Sequence, residues 1–324
     1  MEQFYLTIDI GGTKTTGGIF TQNGELVENY TYVAKTCTYD GEGAVYGNVK
    51  SVIDKIIEKF HLSWEQIKGI GVGCPGPLDT KTGVILHAPL MKWVNFPLLE
   101  RLKQDYNVPI KIDNDGNLGA LAEQKCGVAK GLSRVIYMTV STGCGGGFVL
   151  NGEIYHGKYD SSIEVGHMSI DHNGEQCPCG SRGCLELYAS GTAINKRARE
   201  RAIHDQTSCL LTMCENNCNK IDGTMIYKAA KQGDRLALKL YEEEAIYLGK
   251  GIGNLINLFD PDVIVLGGGV TKAKEFYHEK MMDVIRGHSV SPVENDRIRY
   301  STMNDKVVIY GAYYLIKEAV DKLA

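Results

Sequence analysis

An α/β architecture made of two similar halves is what this sequence predicts, and three observations predict it. Strand-like apolar runs alternate with helical ones along the chain. Two glycine-rich passages, "LTIDIGGTKTTGGIFTQNGELV" (residues 6–27) and "YMTVSTGCGGGFVLNGEIY" (residues 137–155), share one layout: apolar strand, Gly/Thr turn, second apolar strand, and an Asn-Gly turn of the kind that closes hairpins. The chain has 324 residues, against roughly 100–200 for one domain, so two domains with sizeable cores are expected. The repeated layout reads as an old duplication, with two α/β halves facing one another across a cleft.

The intervening elements follow in order. "YGNVKSVIDKIIEKF" places Val49, Val52, Ile53, Ile56, Ile57 and Phe60 at helical spacing, which predicts a helix with one buried face. "IKGIGVGCPGPLD" predicts a short buried strand that breaks at Pro75-Gly76-Pro77. "VPIKIDNDGNLGALAEQKCG" predicts a strand running into a helix that stops at Gly127. "EEEAIYLGKGIGNLINLFDPDVIVLGGGV" predicts a helix with an apolar stripe at Ile246, Leu248, Ile252, Leu255, Ile256 and Phe259. A strand over Val263 to Leu266 follows it and ends in Gly267-Gly268-Gly269. The closing "VVIYGAYYLIKEAVDKLA" reads as a short strand or turn followed by an amphipathic helix.

Composition excludes several classes of protein. A formal net charge of -4 supplies no overall basic surface for nucleic acid. The start, "MEQFYLTIDIGG", has neither a basic region nor a cleavable apolar stretch, and the longest uncharged run, Val135 to Gly152, is interrupted by "STGCGGG". A cytoplasmic protein with no membrane and no nucleic-acid partner is therefore expected. In that compartment the 10 cysteines are reduced, which leaves metal ligation or burial as their roles. Cys37, Cys74 and Cys126 occur singly and read as small hydrophobes, and Cys209, Cys214 and Cys218 match no metal-binding pattern.

Glycine turns after strands cradle phosphates, because a residue without Cβ lets backbone N–H groups approach the anion. "DIGGTKT" adds Asp9 at a strand end, placed to hold a metal-bound water, Lys14 as a point charge, and hydroxyls on Thr13 and Thr15. "STGCGGG" offers a second cradle around Thr142, and Gly267 to Gly269 offers a third turn. None matches a P-loop or G-x-G-x-x-G. Two cradles in a duplicated frame point to a nucleotide held between the halves. "IDNDGNLGALAE" sets carboxylates on a strand-to-helix turn, where one could accept a proton from an alcohol during phosphoryl transfer. Asp113 and Asp115 are both candidates by type, and capping of the following helix competes as an account of the segment.

"EVGHMSIDHNGEQCPCGSRGCLE" (residues 164–186) brings Cys177, Cys179 and Cys184 together with two histidines. Three sulfurs and one imidazole are the closed tetrahedral set of a structural zinc. Spacing leaves His167 and His172 equal as the fourth ligand.

The segments "DIGGTKT", "CPGP", "DNDGN", "STGCGGG", "EVGH", "CPCGSRGCLE" and "VLGGG" occur in the order found in the ROK family (repressor, open reading frame, kinase), and the chain resembles that family over nearly its whole length. The resemblance implies an actin-like (ribonuclease H-like) two-domain ATPase fold with a duplicated core and an interdomain cleft. It implies a small N-terminal domain over 1–113 plus 307–324, and a larger C-terminal domain with a zinc loop over 114–306. Its implied activity is ATP-dependent, Mg²⁺-assisted phosphorylation of a hexose at the 6-hydroxyl, glucokinase-like. On that basis Asp115 is the general base, and Asn114, Glu164, His167 and Glu186 meet the sugar. Structural Zn²⁺ sits on His167, Cys177, Cys179 and Cys184. Asp9, Gly11, Gly12, Thr13 and Lys14 form the first phosphate motif, Thr142 and Gly143 the second, and Gly267, Gly268 and Gly269 the adenosine motif. In the second motif Ser141 stands where the family has glycine. A kinase for N-acetylmannosamine or N-acetylglucosamine is the alternative, and a non-catalytic sugar sensor or regulator a more distant one. Family repressors carry a DNA-binding helix-turn-helix before the DIGGTK strand, and only a few residues precede Asp9, so a repressor is not expected. The family resemblance also implies a dimer or tetramer.

Overall fold

The computed structural model describes residues 2–88 and 91–323. It divides into two compact units, one comprising residues 1–133, 147–162 and 303–324, the other residues 134–146 and 163–302.

The first unit opens with β1 (Phe4–Ile10), β2 (Lys14–Thr21) and β3 (Leu26–Lys35), an antiparallel meander. Helix α1 (Glu42–Lys59) follows, then β4 (Ile67–Cys74), which pairs parallel to β1. A small antiparallel sheet is formed by β5 (Leu78–Asp79), β6 (Val84–Ala88) and β7 (Trp93–Phe96). Helix α2 (Leu98–Asp105), strand β8 (Ile110–Asn114) and helix α3 (Asp115–Cys126) complete this stretch, and β8 pairs parallel to β4. The main sheet thus has the order β3-β2-β1-β4-β8.

A second sheet repeats this plan; its residues 147–154 fall in the first unit and the rest in the second. Strands β9 (Arg134–Val140), β10 (Cys144–Leu150) and β11 (Glu153–Ile154) are followed by helices α4 (Glu186–Ala189), α5 (Gly191–Ala202), α6 (Cys209–Met213), α7 (Gly223–Lys231) and α8 (Arg235–Phe259). Strand β12 (Val263–Gly267), helix α9 (His278–His288) and strand β13 (Ile298–Tyr300) finish it. The sheet order is β11-β10-β9-β12-β13, with β12 parallel to both β9 and β13. Position for position this matches the first sheet, so the duplication read from the glycine-rich passages is present in the strand order. The second hairpin closes through Asn151-Gly152, both at positive φ, with Leu150 opposite Glu153.

The last helix, α10 (Val307–Asp321), belongs to the first unit and packs on α3, β4 and β1. Adjacent glycines of β2 show how that sheet is covered: a Cβ on Gly17 would meet Val52 and Ile56 of α1, and one on Gly18 would meet Ile309 of α10. Successive strand residues face opposite sides, so α1 and α10 lie on opposite faces. The β-branched start "VVI" reads as strand, yet it is helical. Val307, Ile309, Ala312, Tyr313 and Ile316 are all buried at helical spacing, and tertiary packing of that stripe overrides local propensity.

The stripes on α1 and α8 are as the sequence predicts. Val49, Val52, Ile53 and Ile56 are fully buried, as are Leu248, Ile252 and Ile256. Gly127 ends α3, its N–H reaching the carbonyls of Ala122 and Glu123 at 3.1 Å. No helix among the described residues is long and apolar enough to cross a membrane.

Close backbone approach explains Gly311: a Cβ there would lie 2.0 Å from the Leu118 carbonyl oxygen of α3. Gly311→Ala must push α10 off α3, and we expect a loss of about 1–3 kcal/mol, the usual cost of overpacking. Urea denaturation checks this, and an unchanged midpoint would contradict the packing described.

Candidate active site

In the first unit the polar groups gather at the ends of β1, β4 and β8, past the buried part of each strand. The turn between β1 and β2 is tight: the Gly11 N–H donates to the Lys14 carbonyl at 2.9 Å. Thr36 buttresses it, its hydroxyl donating to the Gly11 carbonyl at 2.6 Å and its N–H to the Thr13 carbonyl at 3.1 Å. Lys14 Nζ lies 2.5 Å from Asp305 Oδ2, in an ion pair open to solvent. The Asp9 carboxyl is pushed up to about 8 by burial and by Asp115, with Lys14 opposing and Asp305 adding.

The next turn joins β8 to α3. Asn114 is the N-cap, its Oδ1 accepting from the N–H groups of Gly116 at 2.8 Å and Asn117 at 3.4 Å. Asp115 is the first residue of the helix and accepts the Gly116 N–H at 2.8 Å. Asp113 is buried. Its Oδ1 accepts from the Asn114 N–H at 2.7 Å and Asn117 Nδ2 at 2.9 Å, and its Oδ2 lies 2.7 Å from His156 Nε2. The two aspartates that sequence left equal therefore differ: both oxygens of Asp113 serve the fold, while half-buried Asp115 stands at the helix mouth. Burial raises the Cys74 thiol well above its usual range, and Asp115, Asp113 and Asp9 all add to the rise, which places the three carboxylates around one point.

In the second unit, the turn between β9 and β10 is closed by the Ser141 N–H donating to the Gly143 carbonyl at 2.9 Å, so serine in that place keeps the turn intact. The first turn of α5 packs on it, with the Gly191 N–H on the Ser141 carbonyl at 2.6 Å and the Thr192 N–H on the Thr142 carbonyl at 3.3 Å. Glu186 Oε2 accepts the Cys144 N–H at 2.9 Å. Partial loss of solvent pushes the Glu164 carboxyl upward, His167 opposing and Glu186 adding, so these three groups are electrostatic neighbours.

His167, Cys177, Cys179 and Cys184 place one ligand atom each within 4.8 Å of one another. Cys179 Sγ and Cys184 Sγ are 3.6 Å apart, and Cys177 Sγ is 3.9 Å from His167 Nδ1. Zn–S bonds of about 2.3 Å in a tetrahedron put the sulfurs roughly 3.8 Å apart, so this donor set fits zinc. His172 is outside the cluster, its Nε2 paired with Asn173 Nδ2 at 2.9 Å. With Nδ1 turned to the sulfurs, His167 presents Nε2 on the other side of its ring.

The third turn follows β12. Gly268 has φ +91°, and a Cβ there would lie 2.3 Å from the Val140 carbonyl oxygen, so the backbone of this turn sits directly on the end of β9. Beside it is a cavity of about 580 Å³ within the second unit, lined by Thr142, Thr192, Asn195, Tyr227, Gly269 and Val270 among others. That volume suits a small organic ligand. Thr142 and Gly269 were foreseen in the sequence. Asn195, Tyr227 and Tyr241 were not: they come from α5, α7 and α8, and no local motif marks them. His156, the partner of Asp113, was also missed, because the pairing spans 43 residues.

The ROK family model matches residues 5–319. The chain belongs to the ROK family. A glucokinase of Halalkalibacterium halodurans is 32% identical over 319 residues, covering 98% of this chain and 96% of that protein. A xylose repressor of Caldicellulosiruptor bescii is 32% identical over 269 residues, covering 82% of this chain and 66% of the repressor. A ROK family glucokinase from Streptomyces griseus, solved in complex with glucose and AMPPNP, superposes with TM-score 0.85 at 28% identity, covering 97% of this chain and 99% of that one. The ROK chain described here therefore has the actin-like ATPase fold of the ROK glucokinases, with its core duplicated.

A raised carboxyl makes the folded state bind its proton more tightly than the unfolded chain does. Asp9 thus favours folding below about pH 4, the ordinary carboxylate range, and that contribution is lost as pH rises through about 8. Asp9→Asn should raise the melting temperature of the ligand-free protein, with the gap from wild type widening between pH 5 and pH 8. A gap independent of pH would show that Asp9 titrates normally.

Proposed function

We propose that this ROK protein is an ATP-dependent hexose kinase that phosphorylates the 6-hydroxyl in the manner of a glucokinase. One observation carries the reading: Asp115 stands half-buried at the mouth of α3, while its neighbour Asp113 is fully engaged by the fold. A turn built this way offers one carboxylate to a ligand and keeps it oriented. The glucokinase relatives, and the glucose and AMPPNP bound in the Streptomyces griseus neighbour, support the substrate class.

In this reading Asn114, Glu164, His167 and Glu186 hold the sugar hydroxyls. Asn114 commits its Oδ1 to the helix cap and keeps its Nδ2 for donation. Glu164 and Glu186 accept, and His167 meets a hydroxyl through Nε2. Asp115 takes the proton of the 6-hydroxyl as that oxygen attacks the γ-phosphorus, and ADP leaves. Positioning and charge stabilisation dominate such a transfer. The turns at Gly11 to Lys14 and at Thr142-Gly143 supply N–H groups to the phosphates, with Lys14 as a point charge. Adenosine lies in the 580 Å³ cavity beside Gly267 to Gly269. Mg²⁺ carried in with the triphosphate would be held through its water shell at Asp9 and would offset phosphate charge.

Zinc on His167, Cys177, Cys179 and Cys184 would fix the loop between Glu164 and Glu186. Metal analysis should find about one zinc per chain from the four-ligand set, and Cys184→Ser should lose it together with sugar affinity. A zinc-free preparation with full affinity would refute this role.

The decisive assay is coupled ADP release across glucose, mannose, N-acetylmannosamine and N-acetylglucosamine. Asp115→Asn should lower kcat by about 10²–10⁴-fold, the range for a general base, while glucose binding by calorimetry stays close to wild type. Turnover near wild type in that variant would remove Asp115 from the role. ADP release with an N-acetylhexosamine but not glucose would move the substrate to that class.

A further inference from the structure

The Asp113–His156 pair joins a buried carboxyl to a half-buried imidazole, and the mechanism above does not use it. Asp113 has a side chain only 2% exposed, yet it makes three hydrogen bonds, to the Asn114 N–H, to Asn117 Nδ2 and to His156 Nε2. The first two lie within the turn that carries Asn114 and Asp115. The third comes from a distant segment, the one that follows β11. We propose that His156 is a positioning residue: by holding Asp113 Oδ2, it fixes the rotation of that carboxylate and so the turn that aims Asn114 and Asp115. The proposal rests on the reading of Asp115 as proton acceptor, and it adds a residue that never touches substrate.

A carboxylate held at one oxygen can swing about its Cβ–Cγ bond, and a swing of Asp113 would trade the partners on Oδ1. Holding Oδ2 as well removes that freedom. Asn117 is 4% exposed and sits in the first turn of α3, so its amide cannot follow a moving partner into solvent. Asn114 in turn caps α3 through Gly116 and Asn117. The chain of contacts therefore runs from His156 to Asp113, to Asn114 and Asn117, and to the first helical residue, Asp115.

Charge supports the same role. The bond to Asp113 raises His156 above the usual imidazole range, burial opposing it and Asp160 adding. The charged or titratable groups around the pair are Asp160 on the His156 side, and Asp115, Asp9 and the Cys74 thiol on the Asp113 side. A ring that keeps its proton more readily beside Asp113 suits a place where several carboxyl groups crowd together. The segment bearing His156 is itself anchored: the Ser162 N–H donates to the His156 carbonyl at 3.3 Å, and Asp160 Oδ2 accepts the Thr80 N–H at 2.9 Å. Removing the imidazole leaves a buried acceptor without its donor, a costly state that the carboxylate escapes by turning.

The test compares wild type with His156→Ala, which removes the donor, and His156→Gln, whose amide nitrogen can reach the same oxygen. His156→Met replaces the alanine variant if that one does not fold. In the kinetic arm, His156→Ala should lower kcat at least tenfold with KM for ATP within twofold of wild type, and His156→Gln should recover most of the loss. In the second arm, hydrogen exchange of the ligand-free protein should show the amides of residues 114–117 exchanging at least tenfold faster in His156→Ala. The rest of the chain should be unchanged, and His156→Gln restored. Unchanged exchange at 114–117 overturns the proposal. So does a loss of kcat that His156→Gln fails to rescue. Should wild type turn over no sugar at all, the kinase reading fails, and the exchange arm decides the role of His156 alone.

Discussion

The central strands of both sheets are buried on both faces, and this constraint places everything else. β12 is buried at every position, and β1 and β4 at all but one. A strand enclosed on both sides reads as a near-continuous apolar run and tolerates polar chemistry only where it ends. Asp9, Asn114, Thr142 and Gly268 all lie at or just past such ends. The duplicated strand order supplies these ends in equivalent positions of each sheet, which is why two similar glycine turns occur in one chain.

Crowding of carboxylates at the first of these ends creates an electrostatic problem with several solutions. Asp9 holds its proton more tightly, up to about 8. Asp113 is matched by an imidazole and two N–H donors. Asp115 takes an N–H group at the start of α3. Similar carboxylates a few residues apart are thereby given different roles by burial and partners, not by residue type.

Local signals made much of this legible. The stripes of α1 and α8 were readable because Val52, Ile53 and Ile56, or Leu248 and Ile252, recur at the helical period and are buried at it. The cysteine trio was readable because its members fall within eight residues. The choice of His167 over His172 was not, since it depends on which side of the loop each ring faces, and spacing does not encode that. Only the family resemblance separated Asp115 from Asp113, because one of the contacts that sets Asp113 apart comes from His156, far along the chain. The cavity walls at Asn195, Tyr227 and Tyr241 come from three helices, and their convergence is a property of packing. The strand expected at Val307 gave way to a helix because α3 and β4 offered its apolar residues a helical groove.

Glu186 shows how the loop of residues 164–186 and the turn between β9 and β10 are joined. One of its oxygens accepts the N–H of Cys144 at 2.9 Å, and Cys144 directly follows Thr142-Gly143. Cys184, the last of the Cys/His cluster, is tied back toward the loop's start, its Sγ 3.4 Å from the His167 carbonyl. The Glu164–Glu186 loop and the turn after Thr142 are therefore joined by one hydrogen bond. A shift of either would be felt by the other through that contact.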